Sequence, residues 1–329
     1  MANISVTVTF AAAQALLVAL PAIADPLPSW NDTATETAII QFVERVTDPA
    51  SDNFMPAADR IAVFDNDGTL WSEQPAYFQG LYALDRLQEK ANADPSILTS
   101  DALKAAAKGD MKGVMAGGME GLIEILNVSH SGMSVDDFEA DVREWLTTAK
   151  HPQSGLVYSD MTFQPMLELL TYLRDNDFTT YIVSGGGVHF IRAISEDAYG
   201  VPPQQVIGTE GKTLYQVVDG KPSLLKDGGI SFVDDKAGKP VGIDRHLGKR
   251  PIFAAGNSDG DFEMLEWTTS GDGLRFGLIV HHTDAEREFA YDRDSHFGTL
   301  SKGLDEAAKR GWVVVDIAKD WSKVWSGKQ

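Results

Sequence analysis

The chain has 329 residues, and 48 acidic against 28 basic side chains leave a formal net charge of −20. That length allows one large domain or two ordinary ones. A composition of 43% hydrophobic and 23% charged residues excludes wholesale disorder. The negative balance argues against nucleic acid or an anionic lipid surface as a partner. The absence of cysteine excludes disulfides, thiolate nucleophiles, cysteine-ligated zinc and iron–sulfur clusters.

The first 24 residues carry no charged side chain, and Val6 to Ala22 is mostly small and apolar. Ala22-Ile23-Ala24 then reads as a small-x-small cleavage site ahead of Asp25-Pro26. We read residues 1–24 as a signal peptide cleaved after Ala24, which makes the protein periplasmic or secreted; an N-terminal anchor helix is the alternative. No later stretch approaches the ~20 apolar residues of a membrane span, so no stable membrane insertion is expected after processing.

Thr33 to Thr47 has the spacing of an amphipathic helix, with Ile39, Ile40, Phe42, Val43 and Val46 on its apolar side. Arg60 to Phe64 is a short apolar run stopped by Asp65-Asn66-Asp67-Gly68, the pattern of a buried strand. From about 72 to 155 only helical patterns occur: Tyr77 to Ala91, Asp101 to Lys108, Gly121 to Leu126, and a helix opened by the capping-box-like Ser134-Val135-Asp136-Asp137. Strands and helices then alternate. Gln164 to Asn176 is a helix with Pro165 in its first turn, Phe178 to Val183 a strand, and Val188 to Ala198 a helix. Val206 to Gly208 is a short strand, and Leu214 to Val218 with Ser223 to Phe232 form a hairpin around Asp219-Gly220. Val241 to Leu247 is a helix; Pro251 to Ala255, Leu274 to Val280 and Trp312 to Val315 are strands. Such alternation predicts an α/β fold with a parallel sheet.

Three of these strands end in clusters of Asp, Ser, Gly and Asn, and the carboxyl ends of parallel strands are where open sheets bind ligands. Asp65 and Asp67 offer two carboxylates and turn carbonyls to a hard divalent cation such as Mg²⁺, or a nucleophile and a general acid; a solvated Asp-Gly turn is the plain alternative. Ser184 with Gly185, Gly186 and Gly187 has backbone N–H groups that can approach an anion, or is simply a flexible strand–helix turn. Asn257, Asp259 and Asp261 form a second acidic cluster. Neither acidic cluster fits a calcium loop, because Val63 and Ala255 fall where the first carboxylate ligand belongs. Lys236 and Lys239 stand ahead of the helix that precedes this cluster, and either can neutralise a carboxylate–phosphate pair.

Together these residues resemble the haloacid dehalogenase (HAD) superfamily, and within it the phosphoserine-phosphatase-like group. Phe64-Asp65-Asn66-Asp67-Gly68-Thr69-Leu70 resembles its first motif, Val183-Ser184-Gly185-Gly186 the second, Lys239 or Lys236 the third, and Gly256-Asn257-Ser258-Asp259-Gly260-Asp261 the fourth. The resemblance implies a Rossmann-like core over 25–70 and 161–329 with an inserted helical cap over 71–160. It implies a Mg²⁺-dependent phosphatase for a small phosphorylated metabolite, working through an aspartyl phosphate; a phosphotransferase or mutase, or a non-catalytic phosphate-binding protein, is the alternative. Asp65 would be the nucleophile and Asp67 the general acid and base. Ser184 and Gly185 would hold phosphoryl oxygens, with Gly186 beside them, and the lysine would stabilise charge. Asp65, Asp67, Asn257 and Asp261 would hold the metal, with Asp259 as an alternative. Glu73 and Gln74, at the entry to the cap, are substrate-contact candidates or hinge residues. One departure is Asn257, where the family usually carries an acid. His281, His282 and Asp284 follow a strand near the same sheet edge, as a structural turn or a substrate contact.

Overall fold

Ile61–Phe64 forms a four-residue strand, β1, with every residue buried. Its side chains alternate between two hydrophobic clusters: Ala62 and Phe64 join one, Ile61 and Val63 the other. A strand that buries both faces belongs in the middle of a parallel sheet covered by helices on each side. The computed structural model, which describes residues 25–327, has that architecture.

Helix α1 (Ala34–Thr47) precedes β1 and buries Ile39, Phe42, Val43 and Val46 against the first cluster. After β1 come five helices without a strand: α2 (Phe78–Ala93), α3 (Asp101–Ala107), α4 (Met111–Ala116), α5 (Gly118–His130) and α6 (Val135–Thr148). Part of this block packs on its own small core of Ala83, Leu87, Leu103, Ala106 and Ile125. The Ser134 hydroxyl accepts the Asp137 N–H at 3.0 Å and so caps α6. The chain then returns through α7 (Gln164–Asp175) to β2 (Thr179–Gly187).

Two short helices follow, α8 (Val188–Arg192) and α9 (Ser195–Tyr199), where the sequence predicted one. The break comes at Ile194, whose φ of −130° lies outside the helical range. Next, β3 (Val206–Val218) and β4 (Lys221–Phe232) form a hairpin longer than the one read from the sequence. The first residues of β3 pair in parallel with β2, and the rest pair antiparallel with β4 beyond an irregularity at Glu210–Thr213. The predicted short strand and hairpin arm are therefore one bent strand.

The rest of the core is α10 (Gly238–Leu247), β5 (Phe253–Gly256), α11 (Phe262–Thr269), β6 (Phe276–Thr283), β7 (Ala290–Tyr291), α12 (Lys302–Arg310), β8 (Val313–Asp316) and α13 (Ile317–Asp320). Sheet order is β4-β3-β2-β1-β5-β6-β7, with β8 also paired to β6. Strands β2, β1, β5, β6 and β8 are parallel. The order runs outward from β1 in both directions, so the carboxyl ends of β1 and β5 flank the switch point where such sheets bind ligands. No helix of the described residues is long and apolar enough to cross a membrane. The proposed signal peptide lies outside the described residues.

Candidate active site

The three polar clusters meet on one ammonium. Lys239, on α10 and 2% exposed, places its Nζ 2.6 Å from Asp65 Oδ1, 3.0 Å from the Val183 carbonyl and 2.5 Å from Asp261 Oδ1. Asp65 leaves β1, Val183 precedes Ser184 on β2, and Asp261 follows β5. Lys236 is exposed, with φ at 52°, and the ammonium in the crevice is that of Lys239. Burial alone would lower the Lys239 pKa; the Asp261 and Asp65 carboxylates overcome it and raise it. Burial pushes Asp65 upward and Asp261 adds to the push, while Lys239 opposes both.

Asp67 lies beside the second cluster. A Cβ added to Gly186 would sit 3.5 Å from Asp67 Oδ2, so the glycine lets the two loops close up. Burial raises the Asp67 pKa to about 6, held there against a hydrogen bond that favours the charged form. That bond comes from Trp71, whose indole N–H donates to Asp67 Oδ1 at 2.8 Å. The sequence reading missed Trp71; a tryptophan four residues past an acid carries no motif by itself. Trp71→Phe removes a charge-assisted donor worth about 1.5–3 kcal/mol. The pH–rate profile should then move alkaline by about one unit, since each unit is about 1.4 kcal/mol.

Ser184 is buried, and its hydroxyl accepts the Gly186 N–H at 3.1 Å. The Gly187 N–H donates to Gln79 Oε1 at 2.7 Å, and Gln79 also meets the His130 ring at 3.3 Å. Gln79 thereby links the second cluster to helix α5, a role no sequence signal announced.

The fourth cluster divides its work. Asp259 accepts the N–H groups of Ser301, Lys302 and Gly303, and so holds the start of α12 instead of facing the crevice. Asp261 Oδ2 accepts the N–H groups of Asn257 and Ser258, both at 3.0 Å, while its Oδ1 meets Lys239. Both Asp261 oxygens are engaged in fixing the loop and the lysine. Asn257 is buried; its Nδ2 donates to Glu73 Oε1 at 2.6 Å and its Oδ1 accepts from the Thr69 hydroxyl at 3.2 Å.

Glu73 is 1% exposed, and Tyr291 donates to its Oε1 at 2.8 Å. Burial raises its pKa to about 8. Gln74 points elsewhere: its amide donates to Ser295 Oγ and the Phe297 carbonyl, each at 3.1 Å. His282 is fully enclosed, with Nε2 at 2.8 Å from the Gly68 carbonyl and Nδ1 at 2.9 Å from Glu288 Oε2. Both ring nitrogens face acceptors, so the ring is held as an imidazolium; burial would lower its pKa, but Glu288 raises it. His282 thus braces the first motif's turn. Asp284 pairs with Arg287, and His281 faces Asp292.

The donor chemistry suits a hard divalent cation. With His282 paired to Glu288, the buried Asp65, Glu73 and Asp261 and the half-buried Asp67 leave four carboxyl groups near one ammonium, an excess of acid. Among the described residues no three His, Asp or Glu side chains converge as metal ligands. The Asp65 carboxylate, the Asp67 carbonyl and the Asn257 amide oxygen offer the all-oxygen mixture Mg²⁺ accepts.

The same excess fixes a pH dependence. A carboxyl whose pKa is higher folded than unfolded binds its proton more tightly in the fold, so stability falls as pH rises through that interval. Glu73 moves from 4.5 to about 8 and Asp234 from 3.8 to about 7, both by burial. Below 6.5 the buried His130 and the half-buried His189, lowered by desolvation to about 3 and about 4, act in the opposite direction. Between pH 6.5 and 8, metal-free protein should therefore lose about 2 kcal/mol through Glu73 alone. Thermal unfolding in EDTA at the two pH values measures this, and MgCl₂ at pH 8 should recover the loss.

No curated protein matches the sequence. A conserved protein of unknown function from Anaerococcus prevotii has a similar structure, with 14% identity, 76% of this chain and 86% of that chain covered, and a TM-score of 0.50. A Bordetella pertussis protein of unknown function matches at 18% identity, over 78% and 98% of the two chains, with a TM-score of 0.48. A phosphoserine phosphohydrolase-like protein from Francisella tularensis matches at 15% identity, over 76% and 98%, with a TM-score of 0.38. At 14% identity the likeness to the Anaerococcus protein is one of fold alone. The model of the haloacid dehalogenase-like hydrolases matches residues 62–266, which include all four clusters, and the chain belongs to that family.

Proposed function

We propose that this hydrolase is a Mg²⁺-dependent phosphatase that cleaves a small organic phosphomonoester through an aspartyl-phosphate intermediate. The observation that carries the reading is the Lys239 ammonium shared by Asp65, the Val183 carbonyl and Asp261. It sets one carboxylate beside a fixed positive charge, two residues before a second carboxyl able to exchange a proton near neutral pH.

Lys239 holds Asp65 Oδ1, which leaves Oδ2 to attack phosphorus. The new bond joins Asp65 to phosphorus, and the bond to the ester oxygen breaks. Asp67, with a pKa of about 6, gives its proton to the departing alkoxide. It then takes one from the water that hydrolyses the phosphoaspartate. A halide needs no proton on leaving, so Asp67 favours phosphate esters over haloacids. The Ser184 hydroxyl and Gly185 N–H would donate to phosphoryl oxygens. Mg²⁺, held by Asp65, the Asp67 carbonyl and Asn257 Oδ1, would screen the carboxylate from the anionic phosphoryl group.

We read helices α2 to α6 as a cap over these strand ends, whose size favours small substrates over proteins. We read the apolar segment ending at Ala24 as an export signal, which would put the mature enzyme in the periplasm or outside the cell. The test is hydrolysis of an aryl phosphate by purified protein in MgCl₂ and in EDTA. Turnover should require the metal, and beryllium fluoride with Mg²⁺ should block it by mimicking the phosphoaspartate. No hydrolysis across a panel of phosphomonoesters would overturn the reading.

A further inference from the structure

Asn257 occupies the position where an acid is expected, and its amide is neutral. We propose that Glu73 is a positioning residue that supplies the missing charge and, through its hydrogen bond to Asn257, turns the amide oxygen toward the cation. The inference rests on the reading of this crevice as a divalent-cation site.

The orientation follows from hydrogen-bond chemistry. Glu73 Oε1 accepts from Asn257 Nδ2 at 2.6 Å and from the Tyr291 hydroxyl at 2.8 Å. Once ionised, above its pKa of about 8 or with a cation bound, the carboxylate only accepts, so the amide nitrogen of Asn257 must face it. The amide oxygen is then left on the side of Thr69, whose hydroxyl donates to it at 3.2 Å. With an apolar residue at 73, nothing in this pair of contacts would forbid the flipped amide, because a hydroxyl can also accept from Nδ2.

The glutamate is fixed more firmly than a hinge residue requires. A Cβ at Gly68 would lie 2.4 Å from Glu73 Oε1, and one at Gly298 would lie 1.8 Å from it. Both glycines have positive φ, at +71° and +66°. The carboxyl is therefore held in a slot between two turns that no larger residue could line. Tyr291 closes the slot, donating to the same oxygen at 2.8 Å while its ring stacks on His282 at 4.4 Å between centroids.

This carboxyl has no lysine or arginine partner among the described residues; His282 is the near cation and is already paired to Glu288. Burying an acid without a partner is unfavourable. A bound divalent cation on the far side of Asn257 supplies the opposite charge. Partners that orient a ligand from behind commonly change metal affinity by about 10–100-fold.

The experiment is calorimetric titration of MgCl₂ into metal-free full-length protein, with no substrate present. Wild type, Glu73→Gln, Asn257→Asp and the double variant are compared at one pH above 8, where Glu73 is ionised, each checked for folding by circular dichroism. Glu73→Gln should weaken Mg²⁺ binding about tenfold or more. Adding Asn257→Asp should restore it to within about threefold, because charge and amide have exchanged places and the residue-73 amide now donates to the residue-257 carboxylate. In the wild-type background Asn257→Asp should bring no gain, since two carboxyls 2.6 Å apart would share a proton.

Equal affinity for wild type and Glu73→Gln overturns the inference and leaves the cation site standing. A loss that Asn257→Asp does not recover also overturns it, since a merely structural Glu73 would behave that way. If Glu73→Gln does not fold, the double variant is compared directly with wild type, and a tenfold deficit counts against the proposal. Absence of Mg²⁺ binding by the wild-type protein defeats the cation reading itself.

Discussion

Asp65→Asn should lower the turnover of an aryl phosphate by roughly 10,000-fold or more, the scale seen when a nucleophile that works as part of a unit is removed. The side chain keeps its shape, and its amide oxygen can still accept from Lys239. What it loses is the anionic oxygen that forms the bond to phosphorus. The fold should survive, because burial and Asp261 already disfavour charge at this position, and Lys239 keeps Asp261 as a partner. The discriminating measurement pairs steady-state turnover with acid-quenched detection of a phosphoprotein. Wild type should show labelled protein during turnover and the variant none. Near-normal turnover by Asp65→Asn would falsify the assigned nucleophile, and a collapse of the far-UV spectrum would show that residue 65 is first of all a structural acid.

The core was readable because its strands are buried on both faces and stop abruptly. Ile61–Phe64 and Phe253–Gly256 are short apolar runs ended by residues that terminate strands, and both lie in the parallel sheet. The chemical clusters were readable for the same reason, since polar residues at the ends of buried strands have few structural uses. What escaped falls into two physical classes. Helix α12 was missed because it is short and buries fully only the small residues Gly303 and Ala307, so its apolar face carries few large side chains to mark it. Gln79 and Tyr291 act in the site through contacts between distant segments, and Trp71 through a contact four residues away that no motif marks. Tyr291 and Glu73 lie 218 positions apart in the chain, and no local pattern encodes such a pairing. The division of labour within the fourth motif was equally invisible. Asp259 and Asp261 are two residues apart, yet one holds a helix start and the other a lysine, a difference set by where the loop turns.

Lys239→Met should have the largest effect on stability. The ammonium is the cation between Asp65 and Asp261, and all three side chains are buried. Replacing it with an apolar chain of similar length fills the space and leaves two acids facing each other in a region that burial already makes costly for charge. Removing one partner of a buried ion pair typically destabilises by about 3–5 kcal/mol. Urea unfolding at pH 7.5 should show a deficit of that order in metal-free protein. The sign of its pH dependence follows from Asp65, whose raised pKa climbs further once the ammonium is gone. Protonation then removes the repulsion, so the deficit should shrink at pH 5. Lys236→Ala is the contrast: exposed, and outside the crevice, it should stay within about 0.5 kcal/mol of wild type at both pH values. Adding Asp261→Asn to Lys239→Met should return much of the lost stability by removing one of the opposed charges, while turnover stays abolished. If Lys239→Met instead unfolds at the wild-type urea concentration, the ammonium is not what draws the three strand ends together, and the architecture of the crevice would have to rest on the Asp261 contacts to the Asn257 and Ser258 amides alone.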